Sequence, residues 1–120
     1  MAKDLKISFL LDFYGEMLTQ KQREVIEYYY NDDLSLAEIA DNEGITRQGV
    51  RDSIKRAEAQ LLEMEERLGL AKRFRKVQEE LTAICDRALQ IEAQNEENGG
   101  DPVIRQNVEA ILASAKELVD

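Results

Sequence analysis

From Thr46 to Arg56 the sequence reads Thr-Arg-Gln-Gly-Val-Arg-Asp-Ser-Ile-Lys-Arg. Six of these side chains have the chemistry of polyanion recognition. Arg47, Gln48 and Arg51 suit paired hydrogen bonds to guanine and adenine edges. Thr46, Lys55 and Arg56 suit phosphate oxygens. Asp52 stands among them and repels phosphate unless it pairs with Arg56 or accepts from a cytosine amine. A second basic run comprises Arg67, Lys72, Arg73, Arg75 and Lys76, with no acidic residue between its ends. It reads either as a solvated helix face or as a patch for RNA or phosphate.

Catalytic chemistry has little to work with. Histidine is absent, and there is no glycine-rich phosphate loop and no serine in a nucleophile context. The expectation is a non-enzyme without metal or cofactor. Asp32 and Asp33 are paired carboxylates, but no further ligands stand at a usable spacing, so they read as a polar turn. The one cysteine, Cys85, cannot form an internal disulfide and lies on an apolar stripe. It reads as a buried thiol in a reducing cytoplasm.

The net charge of -9 argues against nucleic acid, but the distribution is uneven. Residues 1–34 carry 4 basic and 7 acidic side chains, residues 35–76 carry 9 and 8, and residues 77–120 carry 3 and 10. Positive charge gathers where the polar motif lies, and the tail is acidic. No apolar run approaches the ~20 residues of a membrane span, and the opening MAKDLK lacks the apolar segment of a signal peptide.

Positioning these side chains falls to helices. Ala, Leu, Glu, Lys, Arg and Gln dominate after residue 36, and only one proline is present. Apolar spacing predicts a first helix over Leu5 to Leu18, with Met17 on its apolar face. Thr19 and Gln22 form a capping-box pattern for a second helix that ends at Asn31-Asp32-Asp33. Residues 35–57 meet the demands of a helix-turn-helix. Ser35 and Glu38 make another capping box, Ala40 is small at a close crossing, and Gly44 supplies a left-handed turn. Ile45 is expected to plug the core behind the turn, Thr46 to cap the next helix, and Val50 and Ile54 to pin it. At ~100° per residue, Arg47, Gln48, Arg51 and Lys55 then face away from the core.

Three heptad stripes follow. Val50, Ile54, Ala57, Leu61, Met64 and Leu68 form the first, the second runs from Leu70 to Ile91, and the third from Ile104 to Leu118. The register shifts at Gly69, which suits a helix cap. The loop Asn95 to Pro102 separates the last two stripes, with Asp101 as cap and Pro102 at the first helical position.

The segment from Thr19 through Leu34-Ser-Leu-Ala-Glu-Ile-Ala and Gly44-Ile-Thr-Arg to Ala57 resembles region 4 of bacterial sigma factors. A closer likeness, over residues 5–68, is to the YlxM-like helix-turn-helix family. The resemblance implies a small bacterial protein whose gene accompanies those of the signal recognition particle GTPase and its receptor, acting as an accessory of that pathway. Over the present chain it marks Leu36 to Ile54 as the motif and Arg47, Gln48, Arg51 and Lys55 as contacts. Beyond about residue 77 the sequence carries no family pattern.

The combined expectation is an all-α protein of five or six helices. Residues 1–68 form the sigma-region-4-like module, and residues 70–120 form a helical appendage with an acidic tail and a loop at 96–102. The partners expected are DNA or the particle's RNA, the particle's GTPase, and a second copy in a homodimer, with no membrane.

Overall fold

The computed structural model describes residues 3–119. Among them the chain forms six α-helices and one short 3-10 turn. The helices are α1 (Leu5–Tyr14), α2 (Gln20–Tyr30), α3 (Leu36–Glu43), α4 (Arg47–Leu68), α5 (Leu70–Glu97) and α6 (Pro102–Val119), with the turn at Gly15–Met17. None is long and apolar enough to cross a membrane. One compact unit ends at Lys72 and a second begins at Arg73, so the division falls inside α5.

In the first unit α4 is the spine. Its buried stripe serves two clusters in turn. Val50 and Ile54 pack with Val25, Tyr29, Ile39 and Ala40, which joins α2, α3 and α4. Ala57 and Leu61, one and two turns on, pack with Ile7, Leu10, Tyr14 and Ile26, which brings in α1. The periodicity of 3.6 residues is what lets one stripe do both.

The starts and stops follow the polar signals. Thr19 and Ser35 each form a complete capping box with Gln22 and Glu38. Gly44 ends α3 at φ 67°, and its N–H donates to the Ala40 carbonyl. A Cβ there would meet nothing within 4 Å. The penalty of Gly44→Ala is therefore backbone strain alone, about 1–2 kcal/mol, with no clash added. Urea denaturation of that variant checks the figure, and an unchanged midpoint would refute the left-handed requirement.

Several expectations need correction. The first helix stops at Tyr14 instead of Leu18, and Met17 is 62% exposed. The capping box at Thr19 needs extended backbone at Leu18 and Thr19, and the turn from Gly15 supplies the change of direction. Ile45 is 39% exposed and is no core plug, because the left-handed turn at Gly44 leaves it at the rim. Its side chain lies against Gly49 instead. Residues 95–97 are helical, so the connection from α5 to α6 is only Asn98–Asp101. Positive φ at Gly99 and Gly100 turns the chain that quickly.

At the α4–α5 elbow Gly69 is left-handed, as its cap role requires. The Glu65 carboxylate sits inside the elbow. It accepts from the Tyr14 hydroxyl at 2.6 Å and from the Ala71 and Lys72 backbone N–H groups, each at 3.0 Å. The Leu70 N–H donates to the Tyr14 oxygen at 3.0 Å. The orphan donors that open α5 are thus satisfied from an earlier helix.

The second unit is a helical hairpin. Buried Asn95 ties its turn: Nδ2 donates to the Asp101 carbonyl and Oδ1 accepts the Asp101 N–H, both at 3.0 Å. Asp101 caps α6 through the Val103 N–H, and Pro102 opens it as expected. Cys85 is free but only half-buried, because in a two-helix unit a residue beside the seam is covered from one side.

Candidate nucleic-acid interface

The candidate contact side chains stand on the first three turns of α4. Thr46 fixes where that helix begins, since its Oγ1 accepts the Gly49 N–H at 2.9 Å. The fully buried Val50 and Ile54 fix its rotation. Arg47, Gln48, Arg51, Asp52, Lys55 and Arg56 are consequently all exposed. Its first turn holds no acidic residue, so the positive end of the helix is unneutralised.

Among the described residues, part of the chain's cations are engaged by carboxylates, and these, like Lys6, Lys72, Arg73, Arg87 and Lys116, are not. Lys3, Lys21, Arg23, Arg67, Lys76 and Arg105 each form a salt bridge with a carboxylate. Among the described residues, Arg47, Arg51, Lys55 and Arg56 form none. Asp52, the one acid among them, does not pair with Arg56. It accepts from the Gln48 amide at 2.9 Å, because Gln48 and Asp52 are one helical turn apart on the same face. That bond draws the carboxylate toward Gln48 and leaves all four cations available.

The opposite wall of the site comes from α3. Ser35, Leu36 and Ala37 line a cleft with Arg47, Gln48 and Arg51. The Ser35 Oγ accepts the Glu38 N–H, and the Ser35 N–H donates to the Glu38 carboxylate, each at 3.1 Å. That backbone N–H holds the Glu38 carboxyl below the usual range, so it is ionised at neutral pH. The sequence identified Ser35 as a cap but not as part of a cleft. Its position one residue before α3, with α3 packed against α4, is what brings it there.

The second basic run is not one group of free cations. Arg67 is bound to Glu63 at 3.1 Å and Lys76 to Glu80 at 3.0 Å, each across one helical turn. Arg67 and Lys72 belong to the first unit, and Arg73, Arg75 and Lys76 to the second. Among the described residues no group of three or more potential ligands could hold a metal ion. Asp33 is engaged by Lys3 at 2.6 Å in the turn after α2.

Comparison with known proteins agrees with the motif. The family model for UPF0122, helix-turn-helix proteins described as YlxM / p13 like, matches residues 1–99. A UPF0122 protein of Thermoanaerobacter sp. is 43% identical over 114 residues, covering 95% of this chain and 94% of its own. One from Bacillus cereus is 42% identical over 111 residues, covering 92% and 96%. One from Shouchella clausii is 50% identical over 74 residues, covering 62% and 68%. The likeness therefore extends well past residue 77, contrary to the expectation from sequence motifs. A hairpin defined by apolar spacing offers no short signature to read.

Proposed function

The chain belongs to the UPF0122 family of YlxM / p13 like helix-turn-helix proteins, and on that premise we propose a non-enzymatic nucleic-acid-binding regulator of the cytoplasm, an accessory of the signal recognition particle pathway. The observation behind this reading is the exposed and unpaired set Arg47, Arg51, Lys55 and Arg56 at the unneutralised start of α4. In a helix-turn-helix the start of the second helix meets base edges in the major groove. Arg47, Gln48 and Arg51 take that role here, and Thr46, Lys55 and Arg56 take phosphates. Within the second basic run, Lys72 in the first unit and Arg73 in the second are exposed and outside any salt bridge, and each separately serves as a subsidiary phosphate contact. A homodimer sets two such helices in successive grooves. The link to the particle rests on the likeness to the YlxM-like family.

A second reading is favoured by the charge of the last 44 residues, 3 basic against 10 acidic. In it the protein is an adaptor whose tail contacts a basic partner, the particle's GTPase, without reading DNA. One experiment separates the two: titration at two salt concentrations against random duplex DNA, the particle's RNA and its GTPase. Salt-sensitive DNA binding that Arg51→Ala weakens by ~1–3 kcal/mol, depending on sequence, supports the regulator. Silence on DNA, with GTPase binding lost on reversing the acids after Asp101, supports the adaptor.

A further inference from the structure

The hairpin of α5 and α6 covers only half of its own heptad pattern. Ala88, Asn95, Val108 and Ala115 recur seven apart within each helix and are buried. The other half of the stripe is Val77, Ile84, Ile91, Ile104, Ile111 and Leu118, also seven apart. These six are between 39 and 65% exposed. They do not scatter over the surface. Ile84 of α5 lines one apolar groove with Ile111 and Leu118 of α6, so the uncovered positions of both helices share one face. From the turn outward they form three layers, with Ile84 and Ile111 in the middle one.

We propose that this face is a homodimer interface, on which a second copy's hairpin closes a four-helix bundle. The inference concerns the second unit alone and holds whether or not α4 binds nucleic acid. The 3.5-residue repeat calls for helices of the same repeat as its complement. Two stripes of three layers each are complemented by the same two stripes related by a two-fold axis. Size agrees. With α6 at 18 residues, the face measures ~27 Å by ~20 Å, about 540 Å² per partner, so two such faces together clear the ~1,000 Å² total of a specific interface.

Charge selects a second copy over a basic partner. The positions flanking the exposed stripe on the side away from the seam are Arg73, Glu80, Arg87 and Gln94 on α5, with Asn107 and Ser114 on α6. Two bases stand there against one acid, and that acid, Glu80, is already paired with Lys76, so this rim offers a basic partner no free carboxylate. The acidic excess sits on the back of the hairpin, at Glu79, Asp86, Glu96 and Glu109, ~140–200° around each helix from the stripe. A surface built for a basic ligand would carry those acids at its rim. A second copy presents the same aliphatic stripe, with its acidic excess turned to the back.

The test is the mass of the full chain in solution by sedimentation equilibrium, with helicity followed by circular dichroism. Wild type is expected to be a dimer at micromolar concentration. Ile84→Ala with Ile111→Ala should weaken the dimer by at least about tenfold at unchanged helicity, since alanine keeps the helices while removing the central layer. Leu89→Glu, on the back and 50% exposed, should leave the dimer intact. A wild-type monomer at ~100 μM, where a complex of micromolar affinity is assembled, overturns the proposal. So does a double variant as dimeric as wild type, or a Leu89→Glu variant that falls apart. These outcomes read the dimer alone, and the titration above reads nucleic-acid binding separately.

Discussion

Glu65→Ala is expected to lower the stability of the protein by about 2–4 kcal/mol, more than any surface carboxylate should. The figure follows from what the carboxylate holds. Tyr14 is fully buried, and its hydroxyl proton has Glu65 as acceptor. The Ala71 and Lys72 N–H groups at the start of α5 donate to the same side chain. Removing it leaves a buried hydroxyl and two helix-opening donors without their partner, and hydrogen bonds to a charged acceptor are among the stronger ones. The Tyr14 hydroxyl holds the Glu65 carboxyl below the usual carboxylate range, opposed by its partial burial. A carboxyl with a depressed folded pKa stabilises the fold at pH values above its unfolded pKa. That contribution is lost as the pH falls through the folded value. Glu65→Gln should therefore flatten the acid side of the stability–pH curve, while wild type keeps its slope there. Tyr14 works from the other end of the scale. Burial, and then the Glu65 bond, push its hydroxyl pKa up, so its support is intact below pH 10 and fades as the pH rises beyond. Tyr14→Phe keeps the packing and loses the bond, so it should cost less than Glu65→Ala. Denaturant melts from acid to alkaline pH check all three variants, and a Glu65→Ala midpoint equal to wild type would sink the account.

How much of this was legible in the sequence depends on how far each interaction reaches along the chain. Ser35 with Glu38, Thr46 with Gly49, and the left-handed Gly44 and Gly69 are contacts within one turn, and their residue types announce them. The same locality made Val50 and Ile54 identifiable as core. Glu65 is different. Its partner Tyr14 lies 51 residues away, and nothing in the pattern of α4 distinguishes it from neighbouring Glu63 or Glu66. The Tyr30 hydroxyl donating to Glu58 was hidden for the same reason, at a separation of 28. Ile45 misled because hydrophobicity signals a wish for burial, whereas the turn geometry decides whether burial occurs. At the candidate interface the residue types were readable but their internal bonding was not. Asp52 had two plausible partners one turn away, Gln48 before it and Arg56 after it, and only side-chain geometry chooses Gln48. In the second unit the heptads were plain, yet sequence could not say which half of each stripe the hairpin would cover.

The combined variant Arg47→Ala, Arg51→Ala and Lys55→Ala is expected to lose over a hundredfold in affinity for duplex DNA, with stability nearly unchanged. The asymmetry is the point of the experiment. All three side chains are exposed and none is bound to a carboxylate among the described residues, so each substitution should move the folding free energy by no more than about 0.5 kcal/mol. Alanine also propagates a helix as well as the residues it replaces. In binding, by contrast, each cation that meets a phosphate releases a counterion, and each base contact adds discrimination of ~1–3 kcal/mol. If all three meet duplex phosphates, the slope of log affinity against log salt becomes shallower by ~2.7, and by ~2.1 on a single strand. Direct base readout by Arg47 or Arg51 would instead give a smaller change in slope and a loss confined to particular sequences. Fluorescence anisotropy over a salt series, on random duplex and on single-stranded RNA, measures both quantities together. Equal affinity and equal slope in variant and wild type would strip the start of α4 of any binding role. The helix-turn-helix would then remain as a packing scaffold, since the side chains that build its core, Val50 and Ile54, are a different set from those that face outward.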